Sequence, residues 1–177
     1  MRDIILGVND GLVSTFLLVA GVAGGGMNST DILLTAIAGS VAGAVSMCAG
    51  EYGATKSQNE VIHGEIELET KHIRKHKMDE LSKVTNLLEL IGITGKNQDL
   101  QEWLVRHYAR DSDALLKLMI ALELGFLEEE QRSPTMAGFV SFFLFLIGAF
   151  PSVIPFMVPD IDPTHGIIAS AILTSFI

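Results

Sequence analysis

The sequence has 177 residues, of which 49% are hydrophobic and 19% are charged. In soluble domains about a quarter of all residues are usually charged, so this composition indicates a membrane protein. The formal charge of −9 argues against nucleic acid as a partner, because phosphate binding needs a concentrated basic surface.

Apolar segments lie at both ends of the chain, and about 20 helical residues are needed to cross the hydrocarbon core. Residues 4–27, 32–49 and 136–158 are predicted to be three spans. A fourth apolar segment begins at Gly166 and stops after twelve residues, so we predict a chain truncated inside a fourth span. A cleaved signal peptide is a poorer explanation of the first segment, because that segment contains an Asp and a second span follows closely.

The basic residues predict the orientation of these spans. Arg2 and residues 50–135 hold all twelve Lys and Arg, whereas the opposite loops 25–31 and 159–165 hold none. The positive-inside rule therefore places the middle segment in the cytoplasm. We predict an all-α, polytopic membrane protein with spans 1 and 2 in residues 1–52, a cytoplasmic helical metal-binding insert in residues 53–133, and span 3 with the start of span 4 in residues 134–177.

The insert is predicted to consist of helices. No Pro occurs from Glu51 to Leu90, so a helix could continue out of the second span. The segment "GITGKNQD" predicts a turn, and two amphipathic helices follow it, the last of which is stopped by Pro134.

Four polar residues of the insert share one predicted helix face. Glu65, Glu69, His72 and His76 are spaced at i, i+4, i+7 and i+11. The pair Glu69 and His72 has the carboxylate and imidazole spacing of helical di-iron sites, and such ligands suit Fe, Mn or Zn. A solvated face with surface ion pairs to residues such as Lys71 explains the pattern equally well.

Asp10 interrupts the first apolar segment. A carboxylate inside a span costs several kcal/mol unless it is paired, protonated or bound to a cation. One alternative is a helix that starts late, near Leu12, with Asp10 as its cap at the membrane surface. A thioether from Met47 facing Asp10 would instead favour Fe(II) or a similar transition metal. Cys48 is interpreted as a packing residue, with a soft metal ligand as the alternative.

Two long motifs carry a family resemblance. "RDIILGVNDGLVSTFLLVAGVAGG" followed by "AGSVAGAVSMCAGEYGATKSQ" resembles the first two spans of the vacuolar iron transporter family, and "ALELGFLE" followed by "IGAFPSVIPF" resembles the beginning of its third span. The resemblance implies a five-span homodimer that moves Fe(II) out of the cytoplasm in exchange for protons, along an interface lined by Asp10 and Met47.

The same resemblance implies metal ligands in the insert. By motif position these are Glu69, Glu80, Met119 and Glu123, and Glu65 is added from helical spacing alone. The sequence departs from the family pattern by having Gly39 and Lys83 at positions where Glu is expected, His72 where a further Glu is expected, and Ile120 where a second Met often follows.

We therefore expect a transporter, not an enzyme, that has no resident cofactor and exports Fe(II), with Mn(II) and Zn(II) as further candidate ions. Its partners would be divalent metal ions, protons, the lipid bilayer and a second copy, in the cell membrane of a prokaryote or the vacuolar membrane of a eukaryote.

The alternative is a membrane-anchored metal-binding or ferroxidase-like protein, which would need a second carboxylate and His pair. Glu102 and His107 do not supply it, because a spacing of five residues does not place both on one helix face. Gly39 and Gly43 form a small-xxx-small step that permits close helix packing, within one chain or between two, and we expect spans 1 and 2 to pack through it.

Overall fold

The computed structural model describes residues 2–93, 97–124 and 132–176. Within these ranges all regular structure is helical and no strand occurs, as predicted. The chain divides into two compact units, one formed by Met1–Lys56 with Ser133–Ile177 and the other by Ser57–Arg132. We call them the membrane unit and the insert unit.

The helices follow one another with short connections. They are α1 (Arg2–Gly24), α2 (Ser29–Lys75), α3 (Lys77–Leu90), α4 (Gln98–Arg110), α5 (Ser112–Met119), a π-helical turn (Ile120–Leu124), α6 (Pro134–Val153), a 3-10 turn (Ile154–Met157) and α7 (Pro163–Ser175).

Three helical segments are long and apolar enough to cross a membrane: Ile4–Gly24, Ser29–Lys75 and Pro134–Met157. They confirm the three predicted spans. The start at Pro134 has a local cause, because the Ser133 side chain caps α6 and Pro134 occupies the first turn, where its missing N–H is not needed. α7 starts in the same way, with Asp162 as its cap, three residues before the predicted Gly166.

Glycines allow α1 and α6 to approach closely. A Cβ atom at Gly11 would collide with the backbone carbonyl of Phe145, and one at Gly148 would collide with the backbone carbonyl of Val8. Neither collision could be relieved by turning a side chain. The helix contact therefore depends on the missing side chains at these two positions.

The predicted role of Gly39 and Gly43 is half correct. A Cβ at Gly39 would overlap Leu18 of α1, so this glycine does pack against the first span. A Cβ at Gly43 would instead overlap the ring of Phe145, which belongs to the third span. The two glycines therefore serve two different helix contacts.

The insert unit has its own apolar core. Its buried members, drawn from α2, α3 and α5, are Ile73, Leu81, Val84, Leu88, Leu115 and Met119. α5 begins at a cap in which Asp111 Oδ1 accepts the backbone N–H groups of Asp113 and Ala114, each at 3.0 Å. These hydrogen bonds, first the one from Ala114, hold the pKa of Asp111 below its usual value.

His76 lies at the very end of the α2 face, where its N–H still donates to the His72 carbonyl at 2.7 Å. α2 ends at Lys75, and His76 is the residue that precedes α3. α2 thus ends one residue before His76, and beyond this point four-residue spacing no longer places side chains on the α2 face.

Candidate functional site

Asp10 lies well inside α1, which already begins at Arg2. The alternative of a late helix start with Asp10 as a cap is therefore wrong. Its side chain is exposed on the membrane unit, and its backbone carbonyl accepts a hydrogen bond from the Ser14 hydroxyl one turn later. A charged side chain inside a membrane-spanning helix has a high free-energy cost, so the presence of Asp10 there calls for a functional explanation.

Asp10 and Met47 line the same cleft, which we call the Asp10 groove. The groove has a volume of about 420 Å³. Its lining residues come from α1, α2 and α6 and are Asp10, Ser14, Thr15, Leu18, Gly39, Gly43, Ser46, Met47 and Phe145. The two predicted path residues are thus brought together by the fold, with Met47 half-buried and Asp10 exposed.

The groove has a regular helical register. α1 and α2 form an antiparallel hairpin, and Leu18 packs on Gly39. Moving four residues back along α1 and four forward along α2 places Ser14 level with Gly43, and a further step places Asp10 level with Met47. These levels are about 6 Å apart, since a helix rises about 1.5 Å per residue.

Hydroxyl groups of α1 and α2 lie in and beside the groove. Thr15 is 2% exposed and its Oγ1 lies 3.5 Å from Ser40 Oγ, while Ser40 Oγ donates to the Ala36 carbonyl at 2.7 Å. Ser14 and Ser46 are exposed to the groove. Sequence reasoning missed these hydroxyls, although the four-residue spacing of Asp10, Ser14 and Leu18 is a signal that could have found them.

Cys48 lies in a different cleft. This second cleft, of about 480 Å³, is formed by α2 and α6 and includes Cys48, Tyr52, Phe139 and Phe142. The Cys48 side chain turns toward Gly138, where a Cβ would be 3.3 Å from its Sγ. Adjacent helix positions point about 100° apart, so Cys48 does not join Met47 in the Asp10 groove, and the packing interpretation is favoured.

The predicted ligands on α2 differ in burial. Glu65 and His72 are exposed, whereas Glu69 is 9% exposed. Glu69 Oε2 lies 3.9 Å from His72 Nδ1. Removal of a carboxylate from water costs free energy unless a charge or a hydrogen bond compensates it, so the buried Glu69 gains more from a nearby cation than the exposed Glu65 does.

The surface ion pair that was the alternative to metal binding is present, but on another carboxylate. Lys71 Nζ lies 2.8 Å from Glu67 Oε1, and both side chains are well exposed. The hydrogen bond from Lys71 lowers the pKa of Glu67. Lys71 therefore pairs with a carboxylate outside the Glu65 and Glu69 face, while the exposure of Glu65 and His72 agrees with the solvated-face alternative.

Glu80 is buried and already has a cation beside it. It is 3% exposed, and its Oε2 lies 2.9 Å from Lys83 Nζ. The Lys83 ammonium group thus neutralises the Glu80 carboxylate and occupies the position that a divalent metal would take. Lys83, which stands where the resembled family has Glu, therefore competes with metal binding at Glu80.

Met119 is completely buried in the apolar core of the insert unit. This position favours packing and gives its thioether no open approach. The side chain of Glu123, the other predicted ligand nearby, lies outside the described residues. Within residues 2–93, 97–124 and 132–176, no three His, Cys, Asp or Glu side chains are grouped closely enough to hold a metal ion.

The residues considered for a ferroxidase-like centre are engaged elsewhere. Glu102 Oε2 accepts from Arg106 at 3.1 Å, and the His107 ring stacks on Trp103 with ring centroids 5.4 Å apart. The two side chains therefore do not form the carboxylate and imidazole pair that such a centre would require.

Comparisons with known proteins give one consistent result. The model of the VIT family matches residues 1–177. Vacuolar iron transporter 1 of Arabidopsis thaliana is 30% identical over 176 residues, which are 99% of this chain and 69% of the relative. Vacuolar iron transporter 1 of Eucalyptus grandis is 30% identical over 98% of this chain and 68% of its own length.

A third relative, vacuolar iron transporter 2 of Oryza sativa subsp. japonica, is 31% identical over 92% of this chain and 65% of its own length. The chain thus spans about two thirds of the length of these relatives. Because the family model matches all 177 residues and relatives about 30% identical cover most of the chain, this chain belongs to the VIT family.

Proposed function

We propose that this chain transports a divalent transition metal across a membrane, with Fe(II) as the favoured ion, Mn(II) as a second substrate and Zn(II) as a third candidate. The observation that carries the proposal is the meeting of Asp10 and Met47 in one groove of the membrane unit. The names of the relatives, which are iron transporters, support the same function.

The ligand chemistry of the groove supports a borderline metal ion. Asp10 provides a hard carboxylate and Met47 a soft thioether, one on each side of the groove. Mg(II) and Ca(II) are bound by oxygen ligands and gain little from sulfur, whereas Fe(II) can use both. The exposed hydroxyls of Ser14 and Ser46 add neutral oxygen atoms to the same space.

Proton coupling would follow from the same carboxylate. If Asp10 holds either a metal ion or a proton, each ion must leave before the other binds, and the two flows are exchanged. We propose that Fe(II) leaves the cytoplasm in this way. The positive-inside pattern supports the placement of the insert unit on the cytoplasmic side.

A homodimer would cover the exposed carboxylate. Asp10 is exposed, and the nearby apolar side chains of Val13 and Leu17 are 42% and 62% exposed. Facing lipid, a charged Asp10 would cost several kcal/mol, which a second copy of the chain could avoid by closing the groove. We therefore propose that two copies enclose the path, in the cell membrane of a prokaryote or the vacuolar membrane of a eukaryote.

In the insert unit, we propose Glu65, Glu69, His72 and Glu80 as residues that collect metal before transport. The burial of Glu69 supports this role, because a buried carboxylate gains most from a bound cation, whereas at Glu80 a metal ion would have to displace the Lys83 ammonium group. Met119 and Glu123 complete the proposed set, and Met119 would have to leave its core position to bind metal.

The test is Fe(II) uptake into vesicles that contain the purified protein. Asp10→Asn and Met47→Leu should reduce uptake strongly, because each removes a ligand while preserving size. Asp31→Asn is the matched control, since Asp31 is an exposed Asp of the same unit at the start of α2, away from the groove. Uptake by Asp10→Asn equal to that of Asp31→Asn would overturn the proposal.

A further inference from the structure

Ser14 lies one helical turn after Asp10 and lines the same groove. A spacing of four residues places two helix side chains next to each other, with Cβ atoms about 5–6 Å apart. Two ligands at this spacing can bind one metal ion, as pairs of His residues do on zinc-binding helices. Ser14 is therefore placed beside any ion that Asp10 and Met47 hold.

The hydrogen atom of the Ser14 hydroxyl group is already engaged. Ser14 Oγ donates to the backbone carbonyl of Asp10, and its side chain is exposed in the groove. A hydroxyl group has one hydrogen and two acceptor lone pairs, so lone pairs are what Ser14 Oγ has left to offer. An oxygen atom held in this way can coordinate a cation but cannot donate a hydrogen bond to an anion.

Thr15, the other hydroxyl residue of α1 in the groove, is less well placed. It is 2% exposed, and its Oγ1 lies 3.5 Å from Ser40 Oγ. Five residues of a helix turn its side chain about 140° away from Asp10, whereas four residues turn Ser14 only about 40°. Ser14 is therefore the α1 hydroxyl that shares the direction of the Asp10 carboxylate.

We propose that Ser14 is a third ligand of the ion that Asp10 and Met47 bind, and that its oxygen favours Mn(II) and Fe(II) over Zn(II). The inference rests on the proposed transport function and deepens it by assigning a specificity-determining residue. Mn(II) is well served by oxygen ligands, whereas Zn(II) gains more from sulfur. Because the hydroxyl group is neutral, it adds a ligand without adding a charge that a second proton would have to replace.

The first measurement compares Mn(II) and Zn(II) uptake into vesicles. Ser14→Cys replaces oxygen by sulfur and should raise the ratio of Zn(II) to Mn(II) uptake by about tenfold. Ser14→Ala removes the ligand and should raise the KM for Mn(II) by about threefold, whereas Ser14→Thr keeps the hydroxyl and the wild-type KM. Val13→Cys is the matched control, because Val13 is the preceding residue of α1, is 42% exposed and does not line the groove. It should keep the wild-type ratio.

The second measurement reports ion binding without transport. Zn(II) should protect the thiol introduced by Ser14→Cys from maleimide labelling in the full chain in detergent, because a metal-bound thiolate is not free to react. Cys48 is the one native cysteine, so the wild-type protein gives the background labelling. The thiol introduced by Val13→Cys should stay unprotected. Adding Asp10→Asn to Ser14→Cys should weaken the protection, because it removes the shared carboxylate.

The contradicting results are separate from those of the proposed function. Equal ratios of Zn(II) to Mn(II) uptake in Ser14→Cys and Val13→Cys would overturn the assignment of Ser14, and so would a thiol at Ser14→Cys that Zn(II) does not protect. Full protection that persists after Asp10→Asn would also overturn it, since the ion would then not be shared. Wild-type vesicles that take up no metal would contradict the proposed function, while the labelling still decides whether an ion binds at Ser14. Gel filtration shows that each variant is folded.

Discussion

Gly148→Ala tests the close approach of α1 and α6 most severely. The added methyl group would collide with the backbone carbonyl of Val8, which cannot rotate away. Overpacking in a well-packed interior costs about 1–3 kcal/mol, and a backbone collision belongs at the upper end, at about 3 kcal/mol. Alanine is favoured over glycine in a helix by about 0.5–1 kcal/mol, which leaves a net loss of about 2 kcal/mol.

Gly21→Ala is the matched control, because nothing lies within 4 Å of a Cβ atom at Gly21. It should stabilise the protein by about 0.5–1 kcal/mol. The two variants thus differ by about 3 kcal/mol, or about 6–12 °C in Tm for a chain of this size. Thermal unfolding in detergent, followed by circular dichroism at one scan rate, measures this difference. Equal Tm values for the two variants would refute the proposed helix contact.

Three further predictions concern the insert unit. Met119→Ala should lower the free energy of unfolding by about 2–5 kcal/mol by leaving a cavity, whereas Met119→Leu should cost less than about 1.5 kcal/mol; denaturant unfolding distinguishes this packing role from a purely metal-binding one. The pKa of Asp111 is lowered in the folded protein, so its stabilising effect is fully present above about pH 3.9, the ordinary pKa of Asp. This effect is lost as the pH falls through the lower pKa of the folded state. The free energy of unfolding of Asp111→Asn should therefore depend less on acid pH than that of the wild-type protein. Lys83→Gln should strengthen Mn(II) binding in a Glu80-dependent manner, measured by calorimetry and absent in Glu80→Gln, because it removes the competing ammonium group.

The membrane spans could be predicted because crossing a bilayer imposes a length and a composition on each helix. The start of α6 at Pro134 was equally predictable, since Ser133 and Pro134 are local signals. The end of α2 was not. No Pro or Gly marks the break at His76, and where a long helix stops depends on tertiary packing that a local pattern does not contain.

The contacts between helices were only partly predictable. Gly39 and Gly43 were recognised as a pair of small residues, but the sequence could not show that Phe145 would fill the space beside Gly43. Gly11 and Gly148, which make the closest approach, are too far apart in the sequence to be associated by any local pattern. Contact partners depend on the rotation of each helix about its axis, which packing decides.

The candidate site could also be predicted only in part from the sequence. The energetic cost of Asp10 made it a candidate functional residue from the sequence alone, and in the fold it lines the same groove as Met47. For the insert unit, helical spacing placed Glu65 and Glu69 on one face, but it could not show that only Glu69 is buried or that Lys83 lies beside Glu80. Burial and charge pairing arise from the packing of several helices, and a single-helix pattern does not contain them.

The central claim is that Asp10 holds a metal ion and a proton in turn. The most direct measurement records Fe(II) uptake and the internal pH of the same vesicles together. We predict that the wild-type protein and Asp31→Asn exchange Fe(II) for protons, and that Asp10→Asn loses both flows at once. Proton-coupled Fe(II) uptake that persists in Asp10→Asn at the wild-type rate would contradict the account.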